Sequence, residues 1–107
     1  MNSDQNGFAP GTFVLLTLTA PREKFWGALL GISAAGVSVR GIDLNSYDET
    51  AHQLRSGDPV IPATMFLPMH RVERVEVDES NGGLPSLAER FRQLSGRDAG
   101  EFLSVPA

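Results

Sequence analysis

The sequence predicts a mainly β domain: a small, five-stranded antiparallel barrel with a short helical insertion and a C-terminal helix. Three observations carry this expectation. Short runs of β-branched and apolar residues alternate at period two between turn-forming segments, as strands of a small β domain do. After Gly83 the apolar spacing changes to that of a helix. The chain has 107 residues, 41% hydrophobic and 21% charged, which suits a single packed domain.

Residues 1–11 are polar and include Gly7, Pro10 and Gly11, so a flexible arm is expected there. Between Thr12 and Thr19, Val14, Leu16 and Leu18 share one face while Phe13, Leu15 and Thr17 share the other, the pattern of a strand. Pro21 fixes its own backbone angle and pushes Ala20 out of the helical region, making Ala20–Glu23 a turn. Phe25–Ile32 is apolar throughout. Its glycines, Gly27 and Gly31, would each cost a helix about 1 kcal/mol relative to alanine, whereas in a strand they allow a strong bend or a close backbone approach. Ser33–Gly36 then turns the chain into a returning strand, Val37–Ile42.

Residues 43–62 form a polar insertion in the barrel, which spans 12–78. Within the insertion, Ser46 and Glu49 make a capping-box pattern ahead of a helix over Tyr47–Arg55. Thr64–Pro68 and Arg74–Val77 read as two strands joined by a one-turn kink near His70. Val72 and Val75 have opposite parity, so a bulge or a 3₁₀ turn must correct the phase. The C-terminal helix lies within 84–96, with Leu84, Leu87, Ala88, Phe91 and Leu94 on one stripe. Ser86 and Glu89 form its capping box and Gly96 its C-cap. Residues 97–107 are expected to form a loose tail from which Phe102 and Leu103 could dock.

Nine Lys and Arg stand against 13 Asp and Glu, a net charge of −4. That disfavours a strongly basic binder of nucleic acid or anionic membrane and leaves room only for a local basic face. The absence of cysteine excludes disulfides, cysteine nucleophiles, cysteine zinc sites and iron–sulfur clusters. No run approaches the ~18–20 apolar residues of a membrane helix, and Met1–Asn6 lacks the basic and apolar regions of a secretory signal. A cytoplasmic protein without a membrane partner is therefore expected. No nucleophile elbow, phosphate loop or metalloprotease motif is present, so neither catalysis nor a cofactor is expected. Asp48, Glu49 and His52 have the spacing of ligands on one helix face, but without a fourth ligand they read as a solvated face. Asn81-Gly82-Gly83 precedes a helix, where an anion could sit, and reads as a plain turn.

Three segments carry a family resemblance: Val14-x-Leu16-x-Leu18, Phe25-x-Gly27-x-Leu29-x-x-Ile32 and Met69-His70-Arg71-Val72-Glu73-Arg74-Val75. With the five short strands they resemble a small Sm-like or SH3-like barrel, and within these the Sm-like and Hfq-like family, across residues 12–78. The resemblance implies a bent second strand, a tight turn before the last strand, homo-oligomeric assembly and RNA as a partner. In that family, residues of the loop after the bent strand hold bases; here the loop is Ser33-Ala34-Ala35-Gly36, without carboxylate, amide or aromatic. Met69 stands where the family carries a lysine, leaving His70 as the match. Pro68 removes a backbone donor from the fourth strand, which assembles into rings in this family.

Two sets of candidate residues follow. Lys24, Arg40, His70, Arg71 and Arg74 would form a nucleic-acid-binding face, although Glu73 and Glu76 are threaded among them and would neutralise part of it. Trp26, Leu30 and Phe66 would form an interface, because both faces of the bent strand are apolar and only one can fill a small barrel. The other face must be covered, either by the C-terminal helix through Leu87, Phe91 and Leu94 or by a neighbouring subunit. The function expected is a non-enzymatic interaction or assembly module that self-associates. The alternatives are an RNA binder with a non-standard site and, third, a small enzyme or ligand binder sharing His70 between subunits.

Overall fold

The period-two runs become strands. The computed structural model describes residues 8–105, and in it β1 is Phe13–Leu18, β2 Glu23–Ile32, β3 Gly36–Asp43, β4 Ala63–Pro68 and β5 Val72–Val77. They form one antiparallel sheet in the order β4-β3-β2-β1-β5. The edges are β4 and β5, and the hydrogen-bond ladder does not close between them. Yet only a 3₁₀ turn, Met69–Arg71, separates these two strands in the chain. A flat five-stranded sheet is ~19 Å across, more than the ~14 Å that four virtual bonds can reach. The sheet is therefore strongly curled, bringing its edges together at this end.

Curling gives the sheet two apolar faces with separate contents. Inside lie Val14, Leu16, Leu18, Leu29, Val37, Val39 and Leu67, with Phe25, Met65, Val72 and Val75 at the margin. Outside, Trp26 and Ala28 pack with Tyr47, Ala51, Leu54, Phe91, Ala99 and Leu103. The second face is covered by three helices of the same chain: α1 (Tyr47–Arg55), α2 (Leu87–Ser95) and α3 (Ala99–Phe102). Burial on both sides explains why β2 is apolar without alternation.

The bend in β2 rests on a close approach. Gly27 pairs with Gly41 of β3, and a Cβ on Gly27 would meet the Arg40 carbonyl and lie 2.8 Å from the Gly41 Cα. Beyond it, the register shifts between Leu29 and Gly31, leaving Leu30 as the extra residue. The phase slip foreseen in the last strand has a similar cause. Thr17 pairs with Arg74 but Leu18 pairs with Val72, so Glu73 is bulged and both Val72 and Val75 face the inner core.

Caps fall where the residue types placed them, with one exception. The Ser86 hydroxyl accepts from the Glu89 N–H at 3.1 Å, the Glu89 carboxylate accepts from the Ser86 N–H at 2.8 Å, and Gly96 ends α2 at φ 77°. Ser46 precedes α1 but makes no side-chain cap; Asp43 instead accepts from the Asn45 N–H at 2.8 Å. Leu84 lies before α2 and is exposed, as is Leu94, so Leu87, Ala88 and Phe91 carry the helix's packing.

Within the segment expected to be a loose tail, Ala99–Phe102 forms α3, and Phe102 and Leu103 dock as the sequence allowed. Asp98 caps α3, the Phe102 ring stacks on Phe91 with centroids 5.1 Å apart, and Leu103 is buried. Most of the expected N-terminal arm, residues 1–7, lies outside the described residues. Its end is held: the Gly11 N–H donates to the Leu29 carbonyl at 2.7 Å, and Phe8 packs on the inner core.

Candidate functional site

The basic residues singled out in the sequence do not make one surface. Arg40 is 7% exposed on the outer face of β3, donating from Nε to the Ser104 carbonyl at 3.0 Å and from Nη1 to the Thr64 hydroxyl at 2.8 Å. It anchors the C-terminal segment to the sheet and is not available as a surface cation. Arg71 is also engaged internally. Its Nε donates to the Thr19 carbonyl at 3.0 Å, and its Nη2 donates to the Pro21 carbonyl at 2.7 Å and the Glu23 carboxylate at 2.9 Å. One guanidinium thus holds both sides of the β1–β2 turn.

The other three are exposed. Lys24 and Arg74 flank Thr17 across β1, and Arg74 lies 3.6 Å from Glu76. Such an exposed pair adds little stability but does neutralise local field. Arg22 is similarly placed 3.5 Å from Glu73. His70 sits in the 3₁₀ turn, exposed. Lys24 and Arg74 are therefore the two candidates brought together, with Thr17 between them and Glu23, Glu73 and Glu76 beside them.

Of the three interface candidates, Trp26 is fully buried within its own chain. Tyr47 meets it edge-on at 5.4 Å, Phe91 lies at 5.1 Å and Phe13 at 6.4 Å between centroids. The chain's own helices are thus the cover that the sequence required, and Trp26 is not part of an outward-facing surface. Tyr47 also donates its hydroxyl to the Leu87 carbonyl at 2.6 Å, joining α1 to α2. Burial pushes this phenol up to about 12, against the opposing pull of the Arg90 cation, while Asp78 and Asp48 add to the rise.

Leu30 is half-buried at the β2 bulge, and Phe66 is 54% exposed. Phe66 occupies edge strand β4, where its ring lies over Gly36, close enough that a Cβ there would sit 2.6 Å from the ring. The direction of the backbone at this edge follows from the ladder. Met69 donates its N–H to the Ala35 carbonyl at 2.9 Å, and the β3–β4 register pairs Leu67 with Val37 and Met65 with Val39. Because N–H and C=O groups alternate sides along a strand, those of Thr64 and Phe66 face away from β3. Pro62 and Pro68 bracket them. The signal of this edge in the sequence is the uncharged run Ala63–Leu67 between Pro62 and Pro68.

At the opposite edge, β5 carries Glu73, Arg74 and Glu76 and a bulge. Charge and bulging are two common ways to discourage strand addition. Over Thr64–Phe66, between the two prolines, the β4 edge has neither; Phe66 on it is exposed, as are Ile61 and Met69 to either side of the strand in the chain. It is the best candidate site on the molecule.

Among the described residues, no pocket opens in the surface and no three His, Asp or Glu side chains converge as metal ligands, so Asp48, Glu49 and His52 do not form such a group. No helix among them is long and apolar enough to cross a membrane. Compared with known proteins, the chain matches no family model, no curated protein and no solved structure.

Proposed function

We propose that this chain is a non-enzymatic, cytoplasmic assembly module built on an Sm-like barrel, and that it works by self-association. The carrying observation is the β4 edge, where the backbone groups of Thr64 and Phe66 face away from β3 with no partner among the described residues and Phe66 is half-exposed. An uncharged, apolar sheet edge is a template for another strand. Support for the Sm-like reading comes from the strand order, the bent and bulged β2, and the 3₁₀ turn between β4 and β5. The engagement of Arg40 and Arg71 within the chain weighs toward protein partners over RNA.

The test is the mass of the full chain in solution, measured by light scattering over a wide concentration range. A mass that is a multiple of the single chain is expected. A single-chain mass at every concentration would contradict the proposal.

A further inference from the structure

We infer that two copies of the chain join edge to edge through β4, antiparallel, about a two-fold axis beside Met65. This rests on the self-association proposed above and adds its surface, symmetry and register.

Strand chemistry favours a second copy of the same edge. β4 reads Ala63-Thr64-Met65-Phe66-Leu67-Pro68, without charge, so a two-fold axis brings no like charges together. Pairing β4 with β5 would instead set this apolar strand against Glu73, Arg74, Glu76 and the bulge. A two-fold contact is also closed, because each edge is used once and no filament grows.

Backbone satisfaction fixes the register. The outward groups belong to Thr64 and Phe66, and neither Pro62 nor Pro68 has an N–H to give. If Thr64 pairs with itself, the Phe66 carbonyl is left facing a proline nitrogen. If Phe66 pairs with itself, the same happens to the Thr64 carbonyl. Pairing Thr64 of each copy with the partner's Phe66 satisfies every outward donor and acceptor of both residues. The prolines then fall opposite each other at the ends, where the ladder stops.

This register also accounts for exposed apolar surface that the single chain leaves open. It sets Phe66, 54% exposed, beside the partner's Thr64, a contact that occurs twice by symmetry. Met65 faces its own copy across the axis as a non-hydrogen-bonded pair, since its backbone groups are used toward β3.

Three variants of the full chain test the proposal alongside the wild type. Phe66→Lys places a lysine in the middle of the edge and is expected to weaken the dimer at least ~10-fold. Glu76→Lys, on the opposite edge, is expected to leave it unchanged. Met65→Cys gives a chain with one cysteine, because the natural sequence has none. In the proposed register the two Cα atoms are ~4.5 Å apart, within reach of a disulfide, so oxidation should yield a covalent dimer. A wild-type dimer lost in Phe66→Lys and trapped in Met65→Cys is the result expected. A wild type that self-associates with Phe66→Lys unaffected and Met65→Cys uncrosslinked would overturn the β4 edge while leaving self-association standing. A wild type that stays single at all concentrations would overturn both.

Discussion

The Trp26 indole donates to the Asp78 carboxylate at 3.1 Å, and through this contact the bent strand is tied to the helical layer above it. The same carboxylate accepts from the N–H groups of Leu87 and Ala88 at 2.7 and 2.9 Å, at the start of α2. A negative group there satisfies orphan amides and complements the positive end of the helix. One side chain therefore positions the helix, and the helix buries Trp26.

Asp78→Ala leaves three donors without their acceptor. Each buried unsatisfied group costs roughly 1–3 kcal/mol, and part of this is recovered by water near the helix end, so a net loss on the order of 3 kcal/mol is expected. Asp78→Asn keeps the shape and one acceptor and should lose less. Urea unfolding followed by Trp26 fluorescence reports both, and an Asp78→Ala midpoint equal to wild type would remove Asp78 from its assigned role.

The close approach of β2 and β3 makes Gly41 a sensitive position. A Cβ there would run into the Trp26 carbonyl and lie 2.7 Å from the Gly27 Cα, neither of which is a flexible group. Gly41→Ala should cost about 2 kcal/mol or more through backbone displacement. Gly83→Ala, where a Cβ meets open space, should be neutral or slightly stabilising. Thermal unfolding of the pair decides whether contact or simple glycine content matters.

Tyr47 is the chain's single tyrosine, so its ionisation can be followed by tyrosinate absorbance without interference from another. The unfolded chain ionises near the ordinary value of 10.0, while the folded chain holds the proton to about 12. Between these values the native state binds more protons than the unfolded state, so stability falls as pH rises. The contribution is fully present below about pH 10, and its loss by about pH 12 amounts to roughly 2–3 kcal/mol. Tyr47→Phe should flatten this alkaline slope, although it also loses the bond to the Leu87 carbonyl. A Tyr47 titration near its ordinary value in the folded chain would contradict the burial argument.

Arg71 and His70 are neighbours with different expected effects. Arg71→Ala removes the guanidinium donors that hold the Thr19 and Pro21 carbonyls and the Glu23 carboxylate and should destabilise by about 1–2 kcal/mol. His70→Ala, at an exposed turn position, should fall within ~0.5 kcal/mol of wild type. With labelled U-rich and A-rich oligonucleotides at low salt, the wild type is expected to show no binding. Tight binding that falls steeply with salt and is lost in Arg74→Ala would restore the nucleic-acid reading.

Local chemistry was legible in the sequence where one short-range rule decided the outcome. Alternation placed β1 and β3, the two glycines marked Phe25–Ile32 as a strand, the clash of Val72 and Val75 parity called for a bulge or a 3₁₀ turn, and Ser86, Glu89 and Gly96 marked both ends of α2. The two apolar faces of β2 announced a covering layer, but its source depended on contacts across about fifty residues. Asp78 gives no periodic signal nine residues before the amide it binds. Arg40 and Arg71 looked like surface cations because composition carries no burial; only the fold brings Ser104 and Thr64, or Thr19 and Pro21, to their guanidinium groups. Asp98 followed three residues later by Glu101 is a helix-start pattern, but the four-residue helix behind it is too short to show a periodic signal.

The most direct test of the whole account is sedimentation equilibrium of the wild-type chain beside Phe66→Lys, run from dilute to concentrated solution. The account expects the wild type to move reversibly between one and two chains, and Phe66→Lys to remain at one chain through the range where the wild type is paired. A wild type that remains a single chain throughout would contradict it.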